Sequence, residues 1–123
     1  MARSSIDPGA LLARTYPIPG GDRVRLRLLR QADEAAVRAL LADAGAELDD
    51  FQLRRLLRVD PRARTAIAAL SPRGGGEELL GLGVIDRSPD ADPELIVVAS
   101  HCGPALEELI ESALRARARR SAA

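Results

Sequence analysis

The chain has 123 residues, 46% hydrophobic and 29% charged, which suits one globular domain with a single core and excludes a disordered chain. Eighteen basic residues, all arginine, are matched by 18 acidic ones, so no net field favours nucleic acid or an anionic membrane, and 2% aromatic content argues against a base-stacking surface. One cysteine excludes an internal disulfide and a cysteine-rich metal site, and no apolar run reaches membrane-spanning length or forms a signal-peptide core; a cytoplasmic protein without metal is expected.

Residues 1–21 read as an N-terminal arm and residues 22–120 as the domain. Pro8, Pro17 and Pro19, with Gly9, Gly20 and Gly21, interrupt any long element in the arm. Leu11, Leu12, Tyr16 and Ile18 leave two readings open: a poorly ordered leader, or an arm packed on the domain. In residues 23–30, Val24, Leu26 and Leu28 alternate with Arg23, Arg25 and Arg27, the period of a half-buried strand. The arginines read first as a solvated face and second as a phosphate stripe.

Residues 32–44 predict a helix with Asp33 and Glu34 in its first turn, Val37, Leu40, Leu41 and Ala44 inward, and Gly45 as its stop. Asp49 and Gln52 have the spacing of a capping box, with Leu48 and Leu53 as a hydrophobic staple, so a second helix begins there and buries Leu53, Leu56 and Leu57. Residues 65–70 predict a strand, 71–76 a turn and 78–86 the returning strand. The triple glycine Gly74-Gly75-Gly76 is not a phosphate loop: it joins two strands, and no Gly-Lys-Ser/Thr follows. Gly81 and Gly83 are either neutral or mark a close approach by another group.

Residues 94–100 (ELIVVAS) form a fourth strand, followed by a helix over 105–117 whose Leu106, Leu109, Ile110, Ala113 and Leu114 share one face. The order β-α-α-β-β-β-α gives an α+β fold, a mainly antiparallel four-stranded sheet with three helices. His101 and Cys102 are the only residues of their kinds. Neighbours at a strand exit point to different sides, so Cys102 reads as a small buried hydrophobe, while His101 is either a general base or a solvated side chain. Glu94, at a strand start, reads as a solvent-facing charge.

This order, with Val24–Asp33 (VRLRLLRQAD) leading into an Ala/Leu-rich helix and Leu80-Gly81-Leu82-Gly83-Val84 in the third strand, resembles the N-terminal half of the GNAT N-acetyltransferase superfamily. The resemblance covers about residues 22–118. It implies acetyl-CoA as co-substrate, with the pantetheine arm along Val97, Val98 and Ala99 and the pyrophosphate at the loop through Ser100, Gly103 and Ala105. It makes Glu94, and less directly His101, the candidates to deprotonate a small-molecule or protein amine. Ser100 stands where the family has Gln or Arg, and Pro104 lacks an N–H, so the loop departs from the family pattern.

Two functions therefore stand side by side: an N-acetyltransferase, and a degenerate, non-catalytic module. The family continues with a fifth strand beside the fourth. Without it, residues 95–99 form a bare sheet edge, for which a two-fold homodimer is expected, with the arm before Arg23 as the competing cover.

Overall fold

The computed structural model describes residues 15–18, 23–60, 62–73, 76–88 and 90–122. The expectations for Leu11, Leu12 and the other residues of the early arm lie outside them. Five strands form one sheet in chain order: β1 (Thr15–Pro17), β2 (Arg23–Leu28), β3 (Arg64–Arg73), β4 (Gly76–Asp86) and β5 (Pro93–Val98). Every neighbouring pair is antiparallel. The helices are α1 (Glu34–Ala44), entered through a 3₁₀ turn at Gln31–Asp33, α2 (Asp50–Leu57) and α3 (Gly103–Ala122). The α+β class holds, with five strands in place of four. The extra strand comes from the arm, where Tyr16 pairs with Val24 and Ile18 is buried. The arm thus covers the β2 edge, opposite to the β5 edge for which it was the competing cover. β5 is left as the far edge, with β4 as its only neighbour among the described residues.

Local signals account for the helices. Asp49 accepts the Gln52 backbone N–H at 2.7 Å, and the Gln52 side chain accepts the Asp49 N–H at 2.9 Å, closing the capping box of α2. Gly45 ends α1 at φ +70°, a left-handed angle that favours glycine. Val24 and Leu26 are fully buried, but Leu28 is 43% exposed, because the strand ends there and Leu29 turns inward in its place. The hairpin is tighter than expected. Ser71, Pro72 and Arg73 pair with Glu78, Glu77 and Gly76, so both strands run on to the glycines. Past Leu70, β3 has no β2 partner, and an edge accommodates the missing N–H of Pro72.

The two faces of the sheet carry different helices. α3 lies over Gly81 and Gly83 of β4. A Cβ at Gly83 would fall 2.7 Å from Ile110 Cγ2 and 2.8 Å from Leu114 Cδ1, and one at Gly81 would fall 2.8 Å from Ile110 Cδ1. The glycines therefore make room for the helix. Leu106, Ile110 and Leu114 are fully buried there, while Leu109 is half-buried on the flank. α1 and α2 cover the other face, where Val84 lies with Leu48 and Leu56. Val84 is therefore not a partner of α3.

Two of the three arginines in the β2 stripe are matched by acids. Arg25 pairs with Glu77 at 2.6 Å, and Arg27 forms a two-pronged pair with Asp33 at 2.8 and 2.9 Å. Among the described residues no group of three or more His, Cys, Asp or Glu could hold a metal ion, and no helix is long and apolar enough to cross a membrane.

Candidate functional site

Glu94 owes its position to an irregularity in β5. Val84 pairs with Leu95 and Ile85 with Pro93, so Glu94 is an extra residue with no β4 partner, a β-bulge. In a regular strand Glu94 and Leu95 would face opposite sides. The bulge turns both into one cleft of about 240 Å³ on the α2 side of the sheet. Its apolar walls are Leu48, Leu56, Val84 and Leu95. Arg64 Nη2 forms an ion pair with Glu94 Oε1 at 3.2 Å, and its Nε donates to Asp86 Oδ1 at 3.3 Å. This fixes one carboxylate oxygen of Glu94; Oε2 has no partner among the described residues. Gln52 and Arg55, on successive turns of α2, complete the lining.

His101 lies beyond the other end of β5 and is exposed, in a separate cavity of about 370 Å³ with Asp43, Glu77 and Glu78. At roughly 3.3 Å per residue, about 13 Å of strand separates Glu94 from Val98, so Glu94 and His101 cannot act on one reacting atom. Cys102 turns into the core and is buried, on the opposite side from His101.

The loop between β5 and α3 is held by a carboxylate. Asp43, at the end of α1, accepts the Ser100 N–H at 2.8 Å and the Ser100 hydroxyl at 3.3 Å. The Cys102 N–H donates to the Ala99 carbonyl at 2.9 Å. Gly103 starts α3 at φ +69°, with nothing within 4 Å of where a Cβ would stand. Ala105 is half-buried in the first helical turn. On β5, the Ala99 N–H donates inward to Leu80 at 2.8 Å. By strand alternation the N–H groups of Val97 and Leu95 also face β4, and those of Ile96 and Val98 face outward.

No protein-family model and no curated protein sequence matches this chain. Solved structures do match it. The GNAT domain of S. lividans PAT superposes with a TM-score of 0.62 over 85% of this chain and 73% of that one, at 20% identity. Ribosomal-protein-alanine N-acetyltransferase from Brucella melitensis biovar Abortus 2308 gives a TM-score of 0.56 over 80% of this chain and 73% of that one, at 24% identity. The chain has the GNAT fold.

Two surfaces of this fold differ in the backbone groups they offer. The outward N–H groups of Ile96 and Val98 fit an extended amide chain, as an added strand would. Val97 and Ala99 face inward, so of the three strand residues singled out in the sequence only Val98 offers its backbone, and Ile96 joins it. Gly103 leaves the start of α3 open. The Ser100 N–H, by contrast, is held by Asp43, Cys102 closes on Ala99, and Pro104 has no N–H. The strand edge keeps outward N–H groups among the described residues, whereas at the Ser100 end of the loop the N–H is already taken by Asp43.

Sequence reading did not single out Asp43, Arg55 or Arg64. Asp43 and Arg64 act across 57 and 30 positions of chain, and nothing local marks them. Ile96 was hidden because strand alternation has two phases, and only pairing with β4 selects one.

Proposed function

We propose that this chain is a GNAT-fold N-acetyltransferase domain that passes an acetyl group from acetyl-CoA to an amine in the Glu94 cleft. The observation that carries the reading is the bulge at Glu94. It presents a carboxylate with one unpartnered oxygen into a walled cleft, beside a strand whose outer edge is open. Ile96 and Val98 would hold the pantetheine arm by their backbones, with Gly103 and Ala105 at the start of α3. Bound acetyl-CoA supplies the acetyl group. Glu94 orients the amine and takes its proton as the nitrogen–carbon bond forms and the carbon–sulfur bond breaks, while Arg64 fixes the carboxylate. His101 has no part in this reaction.

Calorimetry of the purified chain with acetyl-CoA tests the reading. Saturable heat is expected, retained in Glu94→Gln, with acetyl transfer lost in that variant. Absence of heat at millimolar acetyl-CoA would overturn it.

A second reading is a non-catalytic GNAT-fold module that pairs through β5 with a second copy of itself. The Asp43 hold on Ser100 and the bare outer edge of β5 favour it. Val97 is buried within its own subunit, so Val97→Lys would disturb the core before any interface. Val98→Pro removes an outward N–H and spares the β4 ladder. A dimer by light scattering that this variant converts to monomer supports pairing; a wild-type monomer at tens of micromolar excludes it.

A further inference from the structure

Charge in the Glu94 cleft is split between two sides. Arg64 is shared by two carboxylates, Asp86 and Glu94, so this group as a whole carries one net negative charge, and its Glu94 and Arg64 line the cleft. Arg55 lines the same cleft from α2 and makes no ion pair or hydrogen bond among the described residues. It is placed by a rigid support: the capping box locks the first turn of α2, and the adjacent Leu56 is buried. Glu94, Asp86, Arg64 and Arg55 together sum to zero.

A plain alkylamine would satisfy Glu94 and leave Arg55 unpaired. An anion without an amine would meet Glu94 unfavourably. A ligand carrying both charges suits both sides, and a planar guanidinium takes a carboxylate with two parallel hydrogen bonds. The four aliphatic walls suit an apolar substituent beside the charged groups. The volume, about 240 Å³, lies just under the roughly 300–1,000 Å³ of sites for drug-sized ligands, which suits a small molecule.

We infer that the acceptor is a small apolar zwitterion of the α-amino-acid type, its amine at Glu94 and its carboxylate at Arg55. The inference rests on the acceptor-site reading of this cleft and adds the second contact that selects the substrate class.

The test uses the ¹⁵N-labelled full chain and three probes that share an isobutyl group: L-leucine, L-leucinamide and 3-methylbutylamine. Amide shifts are followed at Leu48, Arg55 and Leu95. L-leucine should bind at least about tenfold more tightly than either carboxylate-free probe, the range of one charge-assisted hydrogen-bonded pair. Arg55→Gln should bring L-leucine down to the level of L-leucinamide, and Arg55→Lys should restore part of the preference. Glu94→Gln should weaken all three probes alike. Circular dichroism confirms that each variant is folded; Arg55 is exposed on its helix, so the fold does not depend on it. Equal binding of the three probes, or a preference that survives Arg55→Gln, would overturn the zwitterion while leaving an amine site in place. No shift in the cleft with any probe would overturn both the inference and the acceptor-site reading.

Discussion

The Asp43 carboxylate binds Ser100 twice, through its backbone N–H at 2.8 Å and its hydroxyl at 3.3 Å, joining the end of α1 to the loop that leads into α3. An anionic ligand at that loop competes with this carboxylate. Two like charges about 4 Å apart in water cost roughly 1 kcal/mol, a factor of about five in affinity. Asp43→Asn removes the charge and keeps the size. It should tighten acetyl-CoA about fivefold in calorimetry, more so at low salt. Unchanged affinity would mean that the ligand does not approach Ser100.

The outer edge of β5 gives a residue-level readout. Hydrogen exchange at Ile96 and Val98 should be fast in the free chain, because their N–H groups face away from β4, while Val97 and Ala99 stay protected. Acetyl-CoA should slow Ile96 and Val98 selectively. Protection of these two without ligand, rising with protein concentration, would indicate pairing between copies.

Gly83 is the tightest point between sheet and helix. A Cβ there meets Ile110 Cγ2, on the stiff β-branched carbon, and Leu114 Cδ1. Gly83→Ala should destabilise by about 1–3 kcal/mol, the range for overpacking a filled core. Gly81→Ala should cost less, since its nearest contact is the more mobile Ile110 Cδ1. Urea melts of both variants check the order.

Arg27 and Asp33 link β2 to the start of α1. The hydrogen bonds from Arg27 are the main reason the Asp33 carboxyl is held below the usual carboxylate range, against the opposing effect of burial. A carboxyl lowered in the folded state adds stability above its unfolded value of about 4, and that stability is lost as pH falls through the lower folded value. Asp33→Asn should therefore cost about 1–3 kcal/mol at pH 7, and the gap to wild type should close below about pH 4. A gap independent of pH would assign the loss to packing.

How much of this was legible in the sequence depends on the range of the interaction. The capping box of Asp49 and Gln52, the stop at Gly45 and the inner face of α3 were readable because each lies within one or a few helical turns. The sheet edge at β5 was expected from the resemblance, since the family places a further strand beside the fourth. The β1 strand was not, since three residues between prolines carry no period; its pairing with β2 decides it. Leu28 misled because alternation continues in the sequence past the point where the strand ends.

The sequence by itself determined the class of fold and the order of its elements from β2 onward, because periodicity and capping are local properties of the chain, while Glu94 became a candidate through the resemblance to a family. Only the tertiary structure decided which distant side chains meet. The bulge that turns Glu94 into a cleft, the sharing of Arg64 by two carboxylates, an Arg55 with no ion pair among the described residues and the Asp43 hold on Ser100 all depend on which strands pair and which helix covers which face. They are set by contacts between residues far apart in the chain, and no local pattern encodes them.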